Sequence, residues 1–487
     1  MSKLYIFGIG GSGARVLRSL VMLMASGVEI EAESVVPIII DPDKSNGDLT
    51  RTVSLFNSYS KIRSRLSDIG ENKFFKTKLE DTIDGYILPL NSETQETSFR
   101  QYIGMPQMKD LTGKNNANYA LASALFSEDN LNATMTVGFK GNPNIGSVVL
   151  NQFEDSPEFQ KFVTSFTSSD KIFIINSIFG GTGASGFPLL LKNLRQLNDV
   201  RFPNSAIIKN SVIGNITMLP YFQLDQPQDK SFIDSSTFIS KAKAALHYYD
   251  ENIIKNNSVN YVYYIADRYS SGKVYENSEG GISQQNKAHY IELISALAIK
   301  DFAKKSTDNG MGNSTEVKEY GMKANADIGN LNFDSFFSPT SDLLKRNFIK
   351  FYIFHLYLNE YDCVNAKIAW KRNHKLEDHF LNGEYVRELK LFLTEFVNWL
   401  TELEQNSRSF GPINLDNATG DIFDFVKGYT PEKEMILEKV KRVNNYSYIN
   451  HYLNKSSYKD QANSDEVRFF NLFYQTITEV VTKKYNL

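Results

Sequence analysis

Two glycine-rich segments have the composition and spacing needed to bind a phosphate group. The first, residues 8–13, reads Gly-Ile-Gly-Gly-Ser-Gly and follows an apolar run that predicts a strand. The second, residues 179–186, reads Phe-Gly-Gly-Thr-Gly-Ala-Ser-Gly and also lies between an apolar run and a helical pattern. Glycine lets the backbone approach a ligand closely, and the first N–H groups of the following helix attract anions. The sequence therefore predicts two backbone sites for anions.

The first loop alone favours a dinucleotide, whereas the second favours a triphosphate. Residues 8–13 match the G-x-G-x-x-G pattern of dinucleotide-binding domains, in which Asp41, after the next apolar run, would hold a ribose. A tight strand-to-helix turn that binds no ligand fits the same residues. A dinucleotide-binding domain with one ligand has no use for a second such loop, but several strand-to-helix loops can hold a nucleoside triphosphate together. Neither loop matches the G-x-x-x-x-G-K-[ST] pattern of a P-loop.

The apolar runs that must position these loops alternate with helical patterns, which is typical of βαβ units and a parallel sheet. The predicted strands are residues 4–8, 35–40, 171–176, 207–218 and 261–266. We therefore predict an α/β fold with a doubly wound parallel sheet.

One long helix is predicted from Gln285 to Lys304, and its apolar stretch 291–299 indicates burial between two layers. After a polar, Gly/Asn-rich segment, further helical patterns follow at 341–360, 383–406, 431–443 and 465–484. The predicted units are a nucleotide domain at 1–284, a central helix at 285–305 and a mainly helical C-terminal domain at 306–487.

Charge and cysteine content restrict the classes of function. The 487 residues include 53 Lys and Arg against 56 Asp and Glu, a net charge of −3, so there is no strong nucleic-acid signal. The single cysteine, Cys363, excludes a disulfide framework, and we expect a cytoplasmic location. No window offers the ~18–20 apolar residues of a membrane span. With so little net charge, a bound anion must be held by backbone N–H groups and helix N-termini.

Taken together, the two loops resemble those of the tubulin/FtsZ superfamily of GTPases, and most of all those of the divergent bacterial tubulin-like proteins. Residues 180–186 are close to the family signature, with Phe179 in place of its first glycine. The resemblance covers roughly residues 1–305. It implies a tubulin/FtsZ-like nucleotide domain, a long central helix and a smaller C-terminal domain. It also implies GTP or GDP with Mg²⁺ as ligands and self-association into an oligomer or filament.

The resemblance also assigns candidate contacts for the phosphates and the metal, residue by residue. The candidate phosphate contacts are Gly10, Gly11 and Ser12 in the first loop, Gly141 and Asn142 in the loop 138–146, and Gly180, Gly181, Thr182, Gly183 and Ser185 in the second glycine loop. Asp41 and Asp43 would approach the phosphates or their Mg²⁺.

For the nucleoside, the resemblance assigns a second set of residues. Asp225, after Pro220-Tyr221-Phe222, would contact the ribose, and Asp267 would read the base by accepting from guanine N1–H and N2–H₂. Asn286 and Tyr290 would complete the base pocket by a hydrogen bond and by stacking, with a helix cap and a core aromatic as the alternatives. Arg15 stands where many relatives have Asn or Gln near the base, and the alternative is that it neutralises a phosphate.

The resemblance also assigns candidates for GTP hydrolysis. In the family, an acidic loop after the central helix activates water on the nucleotide of the neighbouring subunit, and the candidates here are Asp327 and Asp334. We therefore predict a tubulin/FtsZ-like GTP-binding protein that self-assembles or switches with its nucleotide state, with slow GTP hydrolysis left open. The alternatives are a Rossmann-type dinucleotide-dependent enzyme and a pseudo-GTPase scaffold. A second protein of the same system is a further candidate partner.

Aromatic residues are frequent, with 34 Phe and 26 Tyr, and they are concentrated at residues 351–357. Core packing is the usual role of such a stripe, and a subunit or partner interface is the alternative.

Overall fold

Seven parallel strands form the main sheet within the described part of the chain, and two short strand pairs lie outside it. The strands are β1 Lys3–Ile9, β2 Ser34–Ile40, β3 Lys78–Leu79, β4 Lys171–Ser177, β5 Ile213–Met218, β6 Gln223–Leu224, β7 Tyr261–Ile265, β8 Val274–Tyr275, β9 Glu316–Glu319, β10 Asn330–Leu331 and β11 Ser409–Phe410. The order in the main sheet is β3-β2-β1-β4-β5-β7-β9, and outside it β6 pairs with β8 and β10 with β11.

The structure is a computed structural model, and it describes a defined set of residues. These are residues 2–67, 70–89, 97–109, 113–135, 139, 142–224, 238–267, 274–275, 281–307, 314–319, 322, 330–361, 368–406, 408–415, 422–432, 446–456 and 464–487. The helix predicted at 431–443 lies almost entirely outside them.

Helices follow the strands of the sheet and make up most of the C-terminal part. They are α1 Gly10–Ala25, α2 Gly47–Ser64, α3 Phe99–Tyr102, α4 Ala117–Leu125, α5 Glu128–Asn132, α6 Pro143–Val149, α7 Pro157–Ser165, α8 Gly181–Arg195, α9 Ser205–Lys209, α10 Phe238–Tyr249, α11 Tyr290–Ala303, α12 Ser338–His355, α13 Ala369–Asn373, α14 Asp378–Leu381, α15 Glu384–Glu404, α16 Tyr446–Lys455 and α17 Asp465–Tyr485. Short 3₁₀ segments occur at Met105–Gln107, Leu150–Asp155 and Phe333–Ser335, and π-helical turns at Asp250–Ile254 and Leu356–Glu360. None of the described helices is both long enough and apolar enough to cross a membrane.

The order of the strands confirms the predicted doubly wound α/β fold. The chain moves outward from β1 through β2 to β3, and then outward on the other side from β4 through β5 and β7 to β9. Strands β1, β2 and β4 are almost completely buried, which explains their continuous apolar sequences. The order reverses between β1 and β4, and in such sheets ligands bind at this switch point, outside the carboxyl ends of the strands.

The central helix is shorter than predicted. It begins at Tyr290 and not at Gln285, because His289 ends the preceding extended segment and caps the helix. The Nδ1 atom of His289 accepts a hydrogen bond from the N–H of Ile291 at 3.2 Å, and Glu292 accepts from the N–H of His289 at 3.0 Å. Residues 290–299 are all buried, as the apolar pattern of this stretch predicts.

The aromatic run at 351–357 belongs to the core. Phe351, Phe354 and Tyr357 are fully buried. Phe74, from the N-terminal half, packs with its ring centroid 5.2 Å from that of Phe351 and 5.5 Å from that of Phe354, and its neighbour Phe75 lies 5.0 Å from Phe392. The aromatic residues therefore join the N-terminal half of the chain to the C-terminal helices in one continuous core.

Candidate functional site

The two glycine loops lie next to each other at the switch point of the sheet. β1 leads directly into α1 at Gly10, and β4 leads into α8 at Gly181. Gly10 has a left-handed φ of +71°, and a Cβ placed on it would lie 3.6 Å from the Cβ of Thr182. Because β1 and β4 are neighbouring parallel strands, the first turns of α1 and α8 begin at one edge of the sheet.

Close packing explains why these loops need glycine. A Cβ on Gly13 would lie 2.5 Å from the carbonyl carbon of Gly8. A Cβ on Gly183 would lie 2.5 Å from the backbone oxygen of Ser177, at the end of β4. Contacts of this length to backbone atoms cannot be relieved by a side-chain rotation. Each helix can therefore start directly against its strand only because these positions lack a side chain.

The N-termini of α1 and α8 have no side-chain caps. Their N-cap residues, Ile9 and Gly180, make no side-chain cap hydrogen bond, and neither helix has an acidic residue in its first turn. By contrast, Asn46 caps α2 and His289 caps α11, and each of these helices has an acid in its first turn. No N-cap side chain therefore competes with an anion for the first N–H groups of α1 and α8, and the positive ends of both helix dipoles lie at this edge of the sheet.

The predicted contacts Ser12 and Ser185 are buried and have partners inside the protein. Ser12 Oγ accepts a hydrogen bond from Arg15 at 3.2 Å, and Ser185 Oγ donates to the carbonyl of Gly181 at 2.7 Å. Thr182 is only half-buried, and its side chain faces the first loop. Among the hydroxyl-bearing residues Ser12, Thr182 and Ser185 of the two glycine loops, Thr182 is therefore the most exposed.

The third predicted loop is described only in part. Gly141 lies outside the described residues, as does the predicted ribose contact Asp225. Asn142 caps α6 by accepting a hydrogen bond from the N–H of Asn144 at 3.1 Å. A Cβ on Gly146 would lie 2.2 Å from Ser185 Oγ, so α6 packs closely on the first turns of α8.

Arg15 is the centre of a buried network. Its Nη1 donates to Asp48 at 2.6 Å, its Nε donates to Glu292 at 2.5 Å, and its Nη2 donates to the hydroxyls of Tyr221 and Ser12 at 3.0 and 3.2 Å. The Tyr221 hydroxyl in turn donates to Glu292 at 2.8 Å, and burial raises the pKa of Tyr221. Asp48 lies on α2 and Glu292 on α11, so the two ion pairs of Arg15 connect α1 to both helices just behind the first loop. These two carboxylates also neutralise the Arg15 charge.

Asp41 and Asp43, the predicted magnesium contacts, differ in their surroundings. Asp43 accepts from the N–H and the hydroxyl of Ser45 with one oxygen, and from the N–H of Gly281 at 2.6 Å with the other. Asp41 accepts one hydrogen bond from the N–H of Asp43 at 3.0 Å, and its burial raises its pKa to about 7.

These surroundings fit a metal contact at Asp41 better than at Asp43. Mg²⁺ is usually bound by one or two carboxylates together with phosphates and water, and Asp41 retains acceptor capacity for it. Among the described residues, no group of three or more His, Cys, Asp or Glu side chains is arranged to hold a metal ion.

At the predicted base site, the structure brings Asp267 and Tyr290 together and adds an unpredicted residue. Arg408 donates from Nη1 to Asp267 and to the hydroxyl of Tyr290, the latter at 3.1 Å. Its guanidinium carbon lies 5.3 Å from the centroid of the Tyr290 ring. Beside Tyr290, burial lowers the pKa of His289 to about 3, so this imidazole is neutral.

Asn286 lies before α11 and not on it. Its backbone N–H donates to Asp48 at 3.1 Å, and its carbonyl accepts from Arg51. The main chain of Asn286 thus belongs to the contacts that hold segment 281–289 against α2.

The end of α15 holds the same segment from the other side. Glu402 accepts two hydrogen bonds from Arg18, at 2.6 and 3.0 Å, and one from the N–H of Ala288 at 2.8 Å. Asn406 donates to the carbonyl of Ala288. We refer to Glu402, Asn406 and Arg408 as the clasp, because they connect the C-terminal helices to the edge of the candidate base site.

Comparison with solved structures gives distant matches. One is the GTPγS-bound protofilament of CetZ2 from Haloferax volcanii, with 14% identity, a TM-score of 0.29, and coverage of 62% of this chain and 58% of that one. A second is CetZ from Methanosaeta thermophila strain DSM 6194, with 17% identity, a TM-score of 0.25, and coverage of 56% and 48%. A third is a GTPγS-form protofilament of TubZ from Bacillus thuringiensis serovar israelensis, with 12% identity, a TM-score of 0.24, and coverage of 62% and 55%.

These proteins belong to the tubulin/FtsZ superfamily. The present chain spans about half to three fifths of the length of each matched chain. No protein-family model and no curated protein matches the sequence.

The structure adds residues to the candidate site that the sequence analysis missed. The sequence contains a sign of the role of Glu292, because this residue is an acid within an otherwise apolar stretch. No sequence pattern marks Glu402 or Arg408, because their partners lie far away in the sequence. Arg408, for example, is 141 positions from Asp267. Of the predicted catalytic candidates, Asp334 is exposed and forms an ion pair with Lys345 at 3.2 Å, and Asp327 lies outside the described residues.

Proposed function

We propose that this protein binds GTP or GDP with Mg²⁺ at the two glycine loops, and that it self-assembles or switches with its nucleotide state. The observation that carries the proposal is the meeting of two uncapped helix N-termini at the switch point of the sheet. A terminal phosphate between them would accept hydrogen bonds from the first turns of both helices. Backbone groups would thus supply the positive potential that the net charge of −3 does not.

The remaining parts of the nucleotide have chemically suitable partners nearby. Asp41 would hold Mg²⁺ together with phosphate oxygens, and the ion would shift this carboxyl toward its charged form. Asp267 would accept from N1–H and N2–H₂ of guanine. The ring of Tyr290 is buried and has Arg408 near it, so it would stack on the base only after this side chain has moved.

Hydrolysis would require a group that activates water, and in this proposal it is slow and depends on assembly. Asp334 is a candidate supplied to the nucleotide of a neighbouring copy, since its side chain is exposed. Asp327 is the second candidate. The first partner is therefore another copy of the same chain, and a second protein of the same system is a further candidate.

The dinucleotide alternative uses the same sheet but a different set of loops. Dinucleotide-binding domains share this strand order, so the sheet does not distinguish the two functions. The second loop distinguishes the two functions, because a dinucleotide bound to the first loop would leave the N-terminus of α8 without an anion. The pseudo-GTPase alternative keeps the fold and binds no nucleotide.

The test is to denature the purified protein, identify any released nucleotide by chromatography, and follow light scattering with and without GTP and Mg²⁺. The proposal predicts guanine nucleotide in the supernatant, or GTP uptake by the empty protein, and scattering that depends on GTP. Release of a dinucleotide would favour the alternative enzyme. Absence of release, of GTP binding and of GTP-dependent scattering would contradict the proposal.

A further inference from the structure

The candidate base site is already in contact with a side chain from the C-terminal half. Arg408 forms an ion pair with Asp267, whose side chain is only 5% exposed, and hydrogen-bonds to the hydroxyl of Tyr290 at 3.1 Å. Its guanidinium also lies near the face of that tyrosine ring, at 5.3 Å from the centroid. The carboxylate and the ring proposed to hold a guanine base are thus both engaged by one guanidinium.

A guanidinium and a guanine base present the same group to a carboxylate. The N1–C2–N2 edge of guanine is a planar guanidine unit with adjacent N–H donors, as is the side chain of arginine. Both also pack against aromatic faces. Because Asp267 and Tyr290 cannot hold both groups in the same place, the base and Arg408 compete for them.

We propose that Arg408 is an internal competitor that occupies the base position and must leave it when a nucleotide binds. This role of Arg408 rests on the proposed function. It adds that a side chain from the C-terminal half lowers the affinity for the nucleotide. The position of this side chain would also depend on whether the base site is filled.

The hydrogen bonding of Arg408 is incomplete, as expected of a displaceable side chain. Its Nε is buried and has no hydrogen-bond partner among the described residues. The permanently buried Arg15 and Arg195 use Nε, Nη1 and Nη2 all as donors. Arg408 is also more exposed, at 20% of its side chain against 4% for Arg15.

The position of Arg408 connects the base site to the C-terminal half. It follows the clasp residues Glu402 and Asn406, which hold Ala288 just before the central helix. It directly precedes β11, which pairs with β10 through Ser409 and Asn330. Displacement of Arg408 would therefore act on both the end of α15 and this strand pair, and through them on the C-terminal helices.

The test compares the affinities of the wild type and Arg408→Met for GTP·Mg²⁺ and for inorganic tripolyphosphate, by calorimetric titration. Methionine keeps much of the length but cannot donate hydrogen bonds. If Arg408 leaves the base site open in about a tenth of the molecules, the apparent Kd for GTP is about ten times the intrinsic Kd. Removing this competitor should therefore lower the Kd for GTP about tenfold. Tripolyphosphate has no base, so its affinity should not change. The matched control is Arg201→Met, since Arg201 is an exposed arginine that pairs with Asp155.

The outcomes separate this inference from the proposed function. If the wild type binds GTP and Arg408→Met binds it equally or more weakly, Arg408 is not a competitor and the inference fails alone. An equal change for GTP and tripolyphosphate would also overturn it, because it would indicate a general structural effect. If neither protein binds GTP, the proposed function fails and the inference with it. Should Arg408→Met not fold, Arg408→Lys gives the same test, since lysine keeps the charge but lacks the planar pair of donors.

Discussion

Replacing Thr182 by aspartate should separate ligand binding from stability, because the added charge would favour the helix and oppose the ligand. Thr182 is the second residue of α8 and is half-buried. Its Cβ lies 3.6 Å from the Cβ position of Gly10 across the two loops. A carboxylate introduced here would therefore lie beside any anion held between the first turns of α1 and α8.

The two effects differ in sign and in size. Two like unit charges about 4 Å apart repel by about 4 kcal/mol at an effective dielectric constant of about 20, which corresponds to roughly a thousandfold loss of affinity. An acid in the first turn of a helix stabilises that helix by about 0.3–1 kcal/mol. The ligand-free variant should therefore be as stable as the wild type or slightly more stable, while its nucleotide binding is lost.

The assay measures the Kd of a fluorescent guanine nucleotide for the wild type, Thr182→Asp and Thr182→Asn, together with thermal unfolding of each ligand-free protein. Asparagine has the shape of aspartate without the charge, so we expect its Kd to stay within a few-fold of that of the wild type. Equal affinities of the aspartate and asparagine variants would refute the placement of an anion between the two loops.

Further substitutions test the packing and the charges around the site. Gly183→Ala should lower the free energy of unfolding by about 1–3 kcal/mol in urea titrations, since its Cβ would lie 2.5 Å from a backbone oxygen. The control is Gly180→Ala, whose Cβ would lie 3.3 Å from a side-chain oxygen and should therefore lower this free energy less. Equal losses in the two variants would contradict the reasoning. Because burial raises the pKa of Asp41 from 3.8 to about 7, the ligand-free protein should lose stability as the pH rises through this interval, and Asp41→Asn should remove that loss in unfolding experiments from pH 4 to 8. A stability profile of Asp41→Asn that still falls with pH would show that another group is responsible. Glu292→Leu should cost about 3–5 kcal/mol in the same urea assay, because it removes one of the two carboxylates that neutralise the buried Arg15; a loss below 1 kcal/mol would mean that the network contributes little.

Local patterns in the sequence were sufficient to predict the two loops and five of the seven strands of the main sheet, but not the short strands β3 and β9. The strand predicted at 207–218 begins only at Ile213, because residues 205–209 form α9. Strands such as β2 and β4 are buried on both faces, so their apolar runs are continuous and easily recognised. The glycines of both loops are set by contacts between a strand and the helix that directly follows it, as at Gly8 and Gly13. Features that depend on neighbours in the chain are therefore visible in the sequence.

Features that depend on distant residues were not visible. The central helix was predicted to begin at Gln285, but segment 281–289 is held outside the helix by Asp43, Asp48 and Glu402. The contact of Arg408 with Asp267 has no local pattern at all. Such side-chain contacts depend on how the C-terminal helices pack against the N-terminal half of the chain, and composition or periodicity does not encode this.

Hydrogen exchange of the backbone amides, with and without GTP·Mg²⁺, tests the central claim most directly. If one triphosphate is held by both uncapped helix N-termini, exchange should slow together at residues 10–13 of α1 and 181–183 of α8. Slowing at residues 10–13 alone would indicate a ligand on the first loop only, as in a dinucleotide-binding enzyme. Unchanged exchange in both segments at saturating GTP would contradict the proposed site.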